Sequence, residues 1–208
     1  ESIGVGSRKI FLATGWERGT DGSWNYELPD GDFKNIHNVA HLMLNPDGKD
    51  YNITDLFDAE DLYKAYPEIK NVNIKFIFDE KNKNEEAVYI KDRASNKETI
   101  QINTAKFQTN FSKVGEGDIL GRTNNLRGVR RLFTHELEHI VQDKEGFAKG
   151  GTPYNFDPEL YKELAQKHGL LNKGLSEDQI KYELYRKLSG EVQARNAAYR
   201  LDLTNEEK

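Results

Sequence analysis

The spacing of hydrophobic and polar residues changes along the chain, and the change predicts two zones. Up to about residue 115 short runs dominate, and in "VNIKFIF" every second position is apolar from Val72 to Phe78, the period of a half-buried strand. "EAVYIKDRASNKETIQIN" predicts two further strands joined by a polar turn. From about residue 122 onward helical spacing dominates. The pattern predicts an α+β fold in which a small mixed or antiparallel sheet precedes a helical C-terminal part.

Other segments of the N-terminal zone predict a hairpin and a helix. "WERGTDGSWNYEL" favours a hairpin, because two Trp flank Gly- and Asp-rich turn residues. "NITDLFDAEDLYKAYPEIK" favours one helix that ends near Tyr66, before Pro67. No internal repeat or convincing linker is visible. We therefore expect one domain over 1–208, mixed α/β over 1–115 and helical over 116–208, although the length also allows two small domains.

Composition narrows the classes of function. Charged residues make up 31% of the chain and no run of 18 apolar residues occurs, so we expect a soluble protein without a membrane span. The net charge of −5 argues against nucleic-acid binding, and neither a basic face nor a phosphate-binding loop supports a nuclease. Cysteine is absent, so any metal must bind to His, Asp, Glu or water. Because the chain begins at Glu1, we expect a removed leader or a longer parent protein, and no signal peptide is recognisable.

"FTHELEHIVQD" contains two of the five histidines. On a helix, His135 and His139 lie about 40° apart and about 6 Å apart along the axis. Arg131 and Gln142 share their face, and Gly146 is a plausible helix stop. An apolar stripe occupies the opposite side: Val129, Phe133, Leu137, Ile140 and Val141. Two imidazoles one turn apart can bind a single Zn²⁺, but such a pair is equally compatible with an ordinary surface helix.

Glu191 is the candidate third ligand. "YELYRKLSGEVQARNAAYRL" predicts a long helix that begins at a capping box of Ser176 and Gln179. Glu191 falls within its apolar, small-residue stripe, where a carboxylate is costly unless its charge is compensated. A metal ion would compensate the charge, and so would an ion pair with Arg195, one turn further on.

Two stretches carry a family resemblance. "THELEHIVQDKEGFAKGGTP" followed by "YRKLSGEVQARNA" resembles the zincin-type metallopeptidase domain of phage and mobile-element polyvalent proteins, the large polyvalent-protein-associated class. "ATGWERGTDGSWNYELPD" resembles a segment that often precedes that domain, whereas residues from about 80 to 120 are not clearly matched. The resemblance implies a zincin-like fold whose sheet packs on the metal-binding helix. It also implies that the chain is part of a larger polyprotein, with a location that is cytoplasmic or associated with a phage or mobile element.

The resemblance also implies a site and an activity. His135, His139 and Glu191 would bind one Zn²⁺ per chain, and Glu136 would be the general base of a peptidase that uses metal-activated water. A strand in the 87–103 region is expected to pair with an extended protein or peptide substrate. The alternative function is a zinc-stabilised, non-catalytic protein-interaction module of a mobile-element polyprotein. An open fourth zinc position would favour the enzyme, and a closed one the module.

Spacing leaves several roles open. Glu136 and Glu138 lie about 80° to either side of the histidine pair, so helical geometry treats them as equivalent. The H-E-x-x-H pattern selects Glu136, which leaves Glu138 as a supporting or solvent-facing acid. His37 and His41 are also four apart, but lack an adjacent Glu and, on a strand, would lie about 13 Å apart. Four residues are candidate oxyanion donors, or alternatively packing and surface residues: His168, Tyr154, Tyr185 and Tyr199.

Overall fold

The secondary structure is mixed. A computed structural model describes residues 16–18, 24–26, 28, 31–108, 119–146 and 156–203. Its strands are β1 (Trp16–Arg18), β2 (Trp24–Tyr26), β3 (Asp32–Phe33), β4 (Asp50–Asn52), β5 (Phe57–Asp58), β6 (Asn73–Ile77), β7 (Ala87–Asp92) and β8 (Lys97–Asn103). Its α-helices include α1 (Ile36–Leu44), α2 (Ile53–Leu56), α3 (Glu60–Ala65), α4 (Ile119–Glu145), α5 (Pro158–Lys167), α6 (Glu177–Tyr185) and α7 (Ser189–Arg200). The predicted α+β class with a helical C-terminal part is confirmed.

A four-stranded sheet with the order β4-β6-β8-β7 forms the centre of the N-terminal part. β6 and β8 are parallel, while β7 is antiparallel to β8 and β4 is antiparallel to β6. Val72, Ile74 and Phe76 are fully buried, as their alternation predicts. Phe78 is the exception, because the strand ends at Ile77 and its side chain is 53% exposed. The predicted strand pair is confirmed as β7 and β8.

The 27-residue helix α4 packs against the core of the sheet. All five residues of its predicted apolar stripe are buried: Val129, Phe133, Leu137, Ile140 and Val141. The helix ends at Glu145, and Gly146 has a φ of +70°, a conformation that glycine adopts without strain. The stop predicted at Gly146 is therefore confirmed.

The N-terminal segment contacts α4 at its C-terminal end and near its middle. β1 and β2 form an antiparallel pair, as predicted, and the backbone N–H of Tyr26 donates to Glu145 at 3.1 Å. Near the middle of the helix, Arg130 Nε donates to the carbonyl of Gly31 at 2.8 Å. Gly31 lies so close to the Phe57 ring that a Cβ on it would overlap the ring. These contacts connect the N-terminal segment to the helix that carries His135 and His139.

Three helix predictions need correction. The single helix expected before Tyr66 is two helices, α2 and α3, interrupted by β5, which pairs with β3. The segment from Ile36 to Leu44 is a helix and not a strand, capped by Asn35, whose side chain accepts two backbone N–H bonds. The capping box at Ser176 is confirmed, but it begins only α6; a second helix, α7, starts after Leu188. The residues Phe57 and Leu188 have non-helical backbone angles and separate helices that hydrophobic spacing alone joins.

The C-terminal helices form a smaller hydrophobic cluster beside the main core. Its buried members come from α5, α6 and the connection between them: Ala165, Leu170, Ile180 and Leu184. α7 instead packs along α4. In the part of the chain that the structure describes, no helix has the length and apolar composition needed to cross a membrane.

Candidate metal centre

Two helices bring the three predicted ligands together. His135 and His139 lie one turn apart on α4, and Glu191 lies in the first turn of α7. The two Nε2 atoms are 3.2 Å apart. Glu191 Oε2 lies 3.4 Å from His135 Nε2, and its Oε1 lies 3.3 Å from His139 Nε2. The ligand atoms of all three residues converge within 4.8 Å of one another.

These separations are close to those between the ligands of a zinc ion, with each histidine nearest to a different oxygen of Glu191. Bonds of about 2.0–2.1 Å in a tetrahedron place neighbouring ligand atoms about 3.3–3.4 Å apart. Both imidazoles turn the same nitrogen toward the carboxylate, and a cation between them would satisfy all three groups at once. The chemistry and spacing of the donors therefore fit a zinc ion.

The break between α6 and α7 determines where Glu191 lies. Leu188 has extended backbone angles, so a new helix begins at Ser189 and the carboxylate falls in its first turn. The positive end of a helix dipole stabilises an anion there. Glu191 is only 1% exposed. Burial acts to raise its pKa, but hydrogen bonds from His135, His139 and Tyr185 outweigh burial and lower the pKa.

The alternative partner of Glu191 makes a longer contact. Arg195 Nη1 lies 4.0 Å from Glu191 Oε2, beyond the distances to both histidines. The Arg195 side chain is about a third exposed, and its Nη2 donates to the backbone carbonyl of Arg186. The long distance and the partial exposure of the guanidinium to water both weaken this contact. Arg195 is therefore a weaker counter-charge for Glu191 than the histidine pair.

Glu136 and Glu138 are both buried but have different neighbours. Glu136 is 6% exposed; burial raises its pKa, against the lowering influence of both histidines and of the Tyr89 backbone N–H, which hydrogen bonds to it. Glu138 is 1% exposed, so the solvent-facing option for this residue is wrong. Burial and the nearby Glu145 carboxylate raise the pKa of Glu138 to about 7.

The contact between Tyr89 and Glu136 lies at the outer strand of the described sheet. β7 is the outer strand, and the N–H of Asn103 donates to the carbonyl of Glu86 at 2.9 Å. In an antiparallel pair such bonds alternate, so the backbone groups of Ala87 and Tyr89 point away from β8. The outward backbone groups of β7 therefore run beside Glu136, and one of them, the Tyr89 N–H, bonds to its carboxylate.

The remaining candidate metal ligands and oxyanion donors lie in different parts of the molecule. His37 and His41 lie on α1 with both side chains exposed, away from the three converging residues. Of the possible oxyanion donors, Tyr185 reaches the centre by a hydrogen bond to Glu191. His168 is exposed at the C-terminus of α5, and Tyr199 is 62% exposed. Tyr154 lies outside the described residues.

Gln142 contacts the centre in a way that the sequence did not specify. The sequence indicated only that Gln142 shares a helix face with His135 and His139. The side chain is 1% exposed, and its Oε1 lies 3.0 Å from Nδ1 of His139. Its Nε2 donates to the carbonyl of Gly190 at 3.0 Å. That partner comes from a separate helix, which spacing within α4 does not reveal.

Comparison with known families gives a match at the N-terminus. A model of large polyvalent protein associated domain 23 matches residues 1–37. The match supports the polyvalent-protein side of the resemblance and ends before the candidate metal centre begins. Comparisons with curated proteins and with solved structures gave no match.

Proposed function

We propose that this chain is a zinc-dependent peptidase, with His135, His139 and Glu191 as zinc ligands and Glu136 as general base. The observation that carries the proposal is the convergence of two Nε2 atoms and a buried carboxylate, whose ligand atoms all lie within 4.8 Å of one another. Two histidines and one glutamate are a ligand set of catalytic zinc sites, in which the fourth position is open to water or substrate. When bound, Zn²⁺ supplies Lewis acidity, which activates water and polarises a carbonyl.

The surroundings of Glu136 support its assignment as the general base. Its carboxylate would take a proton from the attacking water and deliver it to the leaving amine. The Tyr89 N–H holds the carboxylate from the side of the sheet edge, and burial raises its pKa, which makes it a stronger base. A peptide strand paired to β7 would bring its backbone next to this carboxylate without requiring a particular sequence.

The second candidate function is a zinc-stabilised interaction module of a mobile-element polyprotein, without catalysis. The match of residues 1–37 to a domain of polyvalent proteins favours a multidomain setting for either function. The two candidates share the zinc site and differ in hydrolysis, so metal content and activity must be measured separately.

The first experiment measures zinc in the purified protein. We expect close to one zinc per chain, and loss of most of the metal in His135→Ala and in His139→Ala, because two remaining protein ligands hold zinc weakly. Metal analysis by mass spectrometry gives the stoichiometry. Full zinc content in both variants would contradict the ligand assignment.

The second experiment tests the chemistry with a peptide-library digest. Glu136→Gln should retain zinc and fold, but lose about 10²–10⁴-fold of the hydrolytic rate. Glu138→Gln is the matched control, because it is equally buried and lies symmetrically about the histidine pair, and it should lose far less. A larger loss in Glu138→Gln would refute the base assignment. A zinc-loaded wild type that cleaves no peptide would favour the interaction module.

A further inference from the structure

Gln142 connects the two helices that contribute the candidate ligands. It lies on α4, three residues after His139, and is almost fully buried. One end of its amide contacts the His139 ring, and the other contacts the backbone of Gly190, the residue before Glu191. A single side chain therefore touches a ligand on one helix and the backbone next to the ligand on the other.

The hydrogen bonds fix the orientation of this amide. The carbonyl of Gly190 can only accept a hydrogen bond, so it must face the amide nitrogen of Gln142. The amide oxygen then faces Nδ1 of His139. Since that oxygen can only accept, Nδ1 must carry the proton of the neutral ring. In the neutral ring Nε2 of His139 then holds a lone pair that can bind a metal, whereas in the protonated ring it donates to Glu191.

We propose that Gln142 is a positioning residue that sets the tautomer of His139 and anchors the first turn of α7. The inference rests on the metal centre proposed above and assigns a role that the ligand set does not include. The same side chain holds His139 ready to bind a metal and keeps Glu191 in place. Removing the amide should therefore affect both ligands together.

The test compares zinc affinity in two variants that each lose an inter-element amide hydrogen bond. Gln142→Met keeps the size of the side chain but removes donor and acceptor, and should weaken zinc binding about 10–100-fold. Gln108→Met is the control, because Gln108 Nε2 donates to the carbonyl of Met43 at 3.0 Å, away from the three ligands. It should leave zinc affinity unchanged. Competition with a chromophoric chelator measures both affinities. Wild-type affinity in Gln142→Met would overturn the proposal.

A second measurement does not need zinc. ¹⁵N chemical shifts of the His139 ring report its tautomer in the zinc-free protein at a pH at which the ring is neutral, with the signal assigned by its loss in His139→Ala. We expect the Nδ1–H form in the wild type and a mixture in Gln142→Met. An Nε2–H form in the wild type would overturn the inference. A wild type that binds no zinc but shows the Nδ1–H form would refute the proposed function and leave the role of Gln142 intact.

A third variant covers the possibility that Gln142→Met does not fold. Gln142→Glu retains an oxygen acceptor for Nδ1–H and should restore the Nδ1–H tautomer, with zinc affinity closer to wild type than that of Gln142→Met. If Gln142→Glu folds and places the His139 proton on Nε2, the proposal is wrong.

Discussion

Replacing Glu191 by Gln distinguishes two interpretations of this residue, as a metal ligand or as the partner of Arg195 in a buried ion pair. The change preserves size but removes the charge that both histidines contact, at 3.3 and 3.4 Å. An amide can present its oxygen to one imidazole, but its NH₂ group then faces the other. Loss of a residue that only hydrogen bonds to a metal ligand weakens metal binding by up to about 100-fold. Because Glu191 would be a ligand itself, we expect zinc affinity to fall by at least that factor.

The size of the effect on stability follows from linkage. At a zinc concentration 1,000 times its Kd, zinc stabilises the wild type by about 4.1 kcal/mol. At the same concentration, a variant that binds 100-fold more weakly gains about 1.4 kcal/mol. The difference of about 2.7 kcal/mol corresponds to about 5–11 °C in Tm for a domain of this size. Thermal melts with and without zinc measure that difference directly.

Arg195→Ala is the control for the Glu191 experiment. The Arg195 contact is the longest around Glu191, at 4.0 Å, and the side chain is about a third exposed. The zinc-dependent rise in Tm should therefore survive in this variant, with a change of about 0–1 kcal/mol in the zinc-free form. An unchanged zinc-dependent rise in Glu191→Gln would refute the ligand assignment. If both variants instead lost about 3–5 kcal/mol with or without zinc, a buried ion pair would be the correct interpretation.

Two further predictions follow from individual contacts. Tyr185→Phe removes the hydroxyl that bonds to Glu191 and should weaken zinc binding about tenfold in the same chelator competition, whereas unchanged affinity would show that the hydroxyl does not support the ligand. Gly31→Ala would place a Cβ against the Phe57 ring and should reduce the free energy of unfolding by about 1–3 kcal/mol in urea titrations, and no loss would show that the ring can move aside.

The sequence predicted the elements whose apolar residues follow one period. The strand through Ile74 and Phe76 and the apolar stripe of α4 are set by burial on one face, which periodicity reports directly. The break at Leu188 was missed because its apolar side chain continues the helical pattern, although Ser189 and Gly190 are weak helix formers. Asn35 did mark the start of α1, and its capping signal would have identified the helix that carries His37 and His41.

The candidate site was predictable as a set of residues but not as an arrangement. Spacing brought His135 and His139 together, whereas the position of Glu191 beside them depends on the packing of α7 against α4. The difference between Glu136 and Glu138 also comes from tertiary contacts, because only Glu136 meets the Tyr89 N–H. Local geometry on one helix carries no information about what approaches that helix from elsewhere.

Because the hydrophobic residues form two clusters, zinc binding would also affect how the C-terminal helices unfold. α5 and α6 share the smaller cluster, and they lie in the chain between His139 and Glu191. A zinc ion bound to both residues would cross-link the chain and close a loop around these helices. If α5 and α6 unfold locally while zinc stays bound, the closed loop of about 50 residues limits their freedom, and by the relation used for covalent cross-links this raises the free energy of that state by about 4 kcal/mol at 25 °C. Amide hydrogen exchange in α5, α6 and α7 should then slow on metal loading far more than exchange in the β6–β8 pair, so that the metal centre also determines how cooperatively the C-terminal helices unfold.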